Sequence, residues 1–135
     1  KRIMAEAYSS PEQQMSAVLD YLFIDLTRLD VTAMFVELWG MALRDLEARL
    51  FQRKLYRVYR RKFSTILARV YPDVSRDTIK RVATQILAHI DGIMVLYMVD
   101  WPSSQNYEKI VRDAKSVIWR IMESITQETE INQLS

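Results

Sequence analysis

With 135 residues, half of them hydrophobic, and only two glycines and three prolines, the chain has the material for one compact core but few turn residues. That scarcity argues against sandwiches, barrels and glycine-rich phosphate loops, and the absence of cysteine excludes disulfides, thiol nucleophiles and zinc knuckles. The net charge of +2 hides a segregation: residues 48–81 carry eleven basic and two acidic side chains, whereas the flanking stretches are net acidic.

In chain order, Lys1 to about Tyr8 reads as the tail of a helix that began upstream. The chain starts with Lys1 rather than methionine, as expected of a processed product or of part of a longer protein. Ser9-Ser10-Pro11 is a helix start, with Ser10 as N-cap, Pro11 at the first position and Gln13 completing a capping-box pattern. The helix is expected to reach about Leu29 and to turn Val18, Tyr21, Leu22, Ile24 (on the flank) and Leu26 toward apolar surroundings. Asp30 is expected to cap a second helix, to about Asp45, whose Met34, Phe35, Val36, Leu38, Trp39, Met41 and Leu43 predict near-complete burial.

A long basic helix follows from about Leu46 to Val70, stopped by Tyr71-Pro72. At about 100° per residue, Leu55, Tyr56, Tyr59, Phe63, Ile66, Leu67 and Val70 share one arc, with Arg53, Lys54, Arg57, Arg60 and Arg61 opposite. Ser75 is read as the cap of the next helix. Its first half is amphipathic through Ile79, Val82, Ala83, Ile86, Leu87 and Ile90. Beyond Gly92 it is apolar on every side, which predicts a second surface such as another subunit. Asp100 to Ser104 breaks the chain. A last helix is expected from about Gln105 to Glu128, with a stripe from Tyr107 to Ile125 and an exposed Trp119, and Thr129 to Ser135 frayed.

The longest uninterrupted apolar run, Ile93 to Val99, is far shorter than the ~20 residues that span a bilayer, and no apolar segment follows Lys1 and Arg2. The expectation is a cytoplasmic chain without membrane contact.

The run Phe35-Val36-Glu37-Leu38-Trp39-Gly40-Met41-Ala42-Leu43-Arg44-Asp45, the long basic helix ending at Tyr71-Pro72, and Leu87-Ala88-His89-Ile90-Asp91-Gly92-Ile93 together resemble the C-terminal regulatory domain of TetR-family transcriptional repressors. The resemblance is to the subgroup similar to choline-responsive repressors and covers about Ser10 to Ile125. It implies an all-α bundle of about five helices plus the tail of a linking helix, dimerising through the last two helices as a four-helix bundle. It also implies an interior small-molecule effector site in residues 9–128. DNA would be read only by an N-terminal helix-turn-helix that this chain lacks, with residues 1–8 as the end of the linking helix.

Phe35 and Trp39, four residues apart, and Tyr56, Tyr59 and Phe63, within about 60° of one helix, are the candidate ligand-binding rings, joined by His89 and Ile93. Such rings suit an aromatic or apolar molecule, or an amine held by cation–π contact. Ordinary core packing is the competing reading for each ring alone, and a cavity of several hundred Å³ among Phe35, Trp39, Tyr59 and Phe63 would separate the two. His89 is otherwise a satisfied core or interface residue, and Asp91-Gly92 and Gly40 mark close approach of a neighbour. The expected homodimer interface is Met94, Met98, Ile110, Ala114, Val117, Ile118, Ile121 and Ile125. The basic face is read as a solvated face, or one paired with Asp20, Asp25, Asp30 and Glu37. One histidine without a Glu-x-x-His pair leaves no metal centre, and no cofactor or catalytic residue is expected. The alternative to an effector-sensing domain is a helical protein-interaction module without ligand.

Overall fold

The computed structural model describes residues 10–99 and 104–135, without the side chains of residues 104, 105, 128, 129 and 132. The expected linking-helix tail at Lys1–Tyr8 and most of the break at Asp100–Ser104 lie outside them. Among the described residues there are five helices and no strand: α1 (Pro11–Asp25), α2 (Leu29–Ala42), α3 (Leu46–Val70), α4 (Arg76–Val99) and α5 (Ser104–Leu134). The protein is an all-α bundle in which α4 packs against α2, α3 and α5, and α1 rests on α3.

Helix α1 starts as its sequence dictates. Ser10 is extended and its hydroxyl accepts from Gln13 N at 3.2 Å, with Pro11 in the first turn. Its inward row is Met15, Leu19 and Phe23, spaced four apart and continued by Leu26. Tyr21, expected inward, and Ile24, expected on the flank, are 59% and 68% exposed, because the row that meets α3 lies on the other side of Val18 and Leu22. The helix ends at Asp25 rather than Leu29. There the amides of Thr27 and Arg28 turn back onto the carbonyls of Ile24 and Asp25.

Asp30 is not the cap of α2. Arg28 holds that position without a side-chain cap bond, and Asp30 sits in the first turn, its carboxylate 3.1 Å from Arg28. Nor is α2 largely buried: only Thr32 and Ala42 are, while Met34 and Met41 are half exposed and Leu43 more so. The helix lies at the edge of the bundle and touches α3 and α4 along one side.

Helix α3 has the expected limits. Asp45 caps it, with Oδ1 accepting from Ala48 N at 3.1 Å, and Pro72 follows its end. Phe63, Ile66 and Leu67 enter the core. Ser75 caps α4 through Thr78 N at 3.2 Å. By length and composition α4 could cross a membrane. Its inner row of Ile79, Val82, Ala83, Ile86, Leu87, Ile90, Met94 and Tyr97 is instead the centre of the core. Its outer face is what the sequence leads one to expect beyond Gly92, with Leu96 65% and Val99 82% exposed.

Helix α5 continues to Leu134, through the segment expected to fray. Ile131 and Leu134 are exposed there, so helical hydrogen bonding without tertiary burial carries the last turns. Tyr107, Ala114, Ile118, Met122 and Ile125 face the core, and Trp119 is half-buried against it rather than exposed. The Tyr107 hydroxyl donates to the Phe23 carbonyl and Lys115 pairs with Asp20, tying α5 to α1.

Candidate functional site

A cavity of about 60 Å³ lies between α1, α2, α3 and α4. Three of the expected rings, Phe35, Tyr56 and Tyr59, form part of its wall, and Leu22, Val31, Ile90 and Met94 are among the apolar side chains completing it. Two carboxylates, Asp25 and Asp91, also face it, and no basic side chain does. The volume is far below the several hundred Å³ expected from the sequence. It would hold about two waters at ~30 Å³ each, against ~300–1,000 Å³ for a typical ligand site.

The other candidates fall elsewhere. Trp39 stands behind the wall, its indole Nε1 donating to the Tyr56 hydroxyl at 2.9 Å. Phe63 is 1% exposed and belongs to the core, because its place on α3 lies beside Ile66 and Leu67 rather than at the α2 contact. Ile93 is half-buried against the core, and His89 is half-buried with its Nε2 unpartnered; neither is on the cavity wall.

The relay Trp39–Tyr56–Asp91 is the polar feature of the site. The Tyr56 hydroxyl donates to Asp91 Oδ2 at 2.5 Å. Burial pushes the Tyr56 phenol well above its ordinary range, and the Asp91 carboxylate adds to the effect. Burial likewise raises Asp91, opposed by the bond from Tyr56. The proton therefore stays on the phenol, and Asp91 is a carboxylate whose charge costs free energy where it sits. Tyr59 is raised by burial first and by Asp25 second. A cation entering the cavity would offset the buried charge of Asp91.

Asp91 is expected from the sequence to mark helix packing, and Asp25 to be one of the acids that could pair with the basic face; neither is expected on the cavity wall. The sequence signal for Asp91 is an ionisable residue inside the apolar run from Ile86 to Val99. Its partner is 35 positions away on another helix. Within the chain, a Cβ at Gly40 or Gly92 would meet nothing within 4 Å, so any close approach at Gly92 would come from a second subunit, as its sequence reading has it. Gly92 is exposed on the outer face of α4.

The expected interface residues also divide. Met94, Ala114, Ile118 and Ile125 are at most 4% exposed in the single chain, so the monomer core holds them and they cannot supply a partner surface. The stripe on α5 is wide enough to serve two faces, and its inward half is these residues. Ile110 and Val117 keep more than a third of their surface, and Met98 and Ile121 are half-buried. Among the described residues, no group of three or more His, Cys, Asp or Glu side chains could hold a metal ion.

A five-helix bundle with an aromatic, acid-walled hollow among its first four helices accords with a regulatory domain. A family model for the C-terminal domain of BetI-type transcriptional repressors matches residues 11–118. The chain belongs to that family, a branch of the TetR-type regulators, and is the regulatory domain of a transcriptional regulator. The searches of curated proteins and of solved structures gave no match.

Proposed function

We propose that the chain senses a small organic cation in the cavity between α1 and α4 and thereby controls a DNA-reading domain outside this chain, in the cytoplasm. The observation that carries this is the wall itself: three aromatic rings and two carboxylates with no basic side chain on the wall, where Asp25 has Arg28 beside it at 3.8 Å and Asp91 has its charge disfavoured by burial. A desolvated cation over such rings gains up to ~2 kcal/mol from each good cation–π contact, and the carboxylates add Coulombic attraction.

The cavity is too small for more than the smallest guest, so binding must enlarge it. Helix α2 is the element to give way, because it buries only Thr32 and Ala42 along its length. A cation that binds the enlarged arrangement better shifts the population toward it, and the displacement of α2 is the output. The chain is further proposed to act as a homodimer through the outer faces of α4 and α5, where Leu96, Met98, Val99, Ile110, Val117 and Ile121 leave apolar surface in water.

The test is a titration calorimetry comparison of a trimethylammonium compound with its uncharged tert-butyl analogue. Tighter binding of the cation, with the preference lost in Asp91→Asn, supports the reading. Equal or absent binding of both overturns it. A ligand-free interaction module is the second reading, favoured by the small cavity and by Met41, Leu43, Leu46, Leu50 and Phe51, all more than half exposed at the α2–α3 corner.

A further inference from the structure

Helix α3 carries a second feature, on the flank where its basic side chains meet the edge of the core. Arg49, Gln52, Arg53, Tyr56, Arg57 and Arg60 line an open groove of about 420 Å³, a volume within the range of small-molecule sites. No acidic residue occurs in the sequence between Glu47 and Asp73. The pairing expected with the acidic helices is not made: Asp20 is taken by Lys115, and Asp25 and Asp30 by Arg28. Among the described residues, no carboxylate comes within 4 Å of Arg53, Arg57 or Arg60.

The four arginines are not equivalent. Arg49 is already engaged, its Nε donating to the Ala42 carbonyl at 2.9 Å and its Nη2 to the Leu43 carbonyl at 3.4 Å. Arg53, Arg57 and Arg60 follow at four- and three-residue spacing, so their like charges stand on adjacent turns and repel. Arg60 Nε is buried without an acceptor. A buried donor lacking a partner is costly, and an anion in the groove would satisfy it while screening the three charges.

We infer that this groove is a binding site for a small phosphate-bearing molecule. Guanidinium forks match phosphate oxygens two at a time. The seven helical steps from Arg53 to Arg60 rise about 10 Å, the reach of a polyphosphate or a nucleoside phosphate. A single strand of nucleic acid fits less well, because it needs successive rings to stack its bases, and among the described residues the groove has one ring, Tyr56, which is half-buried. The site stands independently of the cavity, although Tyr56 contributes to the walls of both.

Inorganic pyrophosphate titrated into the chain by calorimetry, at ionic strength held constant with sodium chloride, tests this. Saturable one-site binding is expected. Arg57→Gln with Arg60→Gln should weaken it at least tenfold, and Arg57→Lys with Arg60→Lys should retain part of it. Circular dichroism shows that each variant is folded, and Lys80→Gln, outside the groove, should leave affinity unchanged. No saturable binding, or affinity undiminished in the glutamine variant, overturns the inference. So does binding of duplex or single-stranded nucleic acid without any binding of pyrophosphate.

Discussion

The Tyr56 hydroxyl and the Asp91 carboxylate meet at 2.5 Å, joining the third and fourth helices at the edge of an internal cavity. That contact places an ionised acid among apolar side chains, and burial outweighs the hydrogen bond in its effect on Asp91. The native state therefore keeps the Asp91 proton to a higher pH than the unfolded chain does. The stability this confers is full below the unfolded value of about 4 and is lost as pH rises through the native value.

Asparagine at this position cannot ionise, yet its amide oxygen can still accept from Tyr56. Asp91→Asn is expected to be more stable than the wild type at pH 7, with the difference shrinking toward pH 4. Urea midpoints at the two pH values measure it. A variant equally destabilised at both would show that the carboxylate is a net support.

Tyr107→Phe removes the donor to the Phe23 carbonyl and should cost about 1–3 kcal/mol at neutral pH, because a buried acceptor loses its partner. Burial, with Tyr97 adding to it, pushes the Tyr107 phenol up to about 12. Its contribution is full below the unfolded value of about 10 and is lost as pH rises through about 12. The stability gap between wild type and variant should narrow between pH 9 and pH 11.5, read by denaturant midpoints.

Ile118 and Val117 are neighbours in sequence with opposite duties. Ile118 is fully buried, so Ile118→Ala should lower stability by about 2–5 kcal/mol at every protein concentration. Leu96→Asp with Val117→Asp alters exposed positions on α4 and α5. It should leave helix content intact while converting a dimer to monomer by light scattering at micromolar concentration. An unchanged dimer in that double variant places the subunit contact elsewhere.

Asp45 caps the longest basic helix through Ala48 N. Asp45→Ala should destabilise the chain by about 1 kcal/mol, the usual worth of such a cap, and thermal unfolding reads it. Asp45→Ser should recover most of the loss.

What the residues disclosed in advance divides along physical lines. Local signals were legible: Ser10, Ser75 and Tyr71-Pro72 start and stop helices through their own backbone neighbours. The inward row of α4 was legible because a single helix with six well-spaced apolar residues has one way to face a core. The row Met15–Leu19–Phe23 was not, since Tyr21 and Ile24 are as apolar as their buried neighbours and only the position of α3 decides between them. The burial of α2 was overestimated for the same reason: an apolar helix at the edge of a bundle looks in sequence like one at its centre. At the cavity, Phe35, Tyr56 and Tyr59 could be read from helical spacing, but Trp39 stands behind Tyr56 and Phe63 one layer deeper. Asp25 and Asp91 depend on contacts between helices distant in sequence, which periodicity does not contain.

Arg49 grips the last carbonyls of α2, while Thr32 near its other end bonds the Leu26 carbonyl at 3.1 Å. The helix is thus a lever with a latched fulcrum at the Ala42 corner and a strap at the far end. Any guest pressing on Val31 would haul on Leu26 and so tug the close of α1, carrying a push inside the bundle toward the first described helix without a single covalent change.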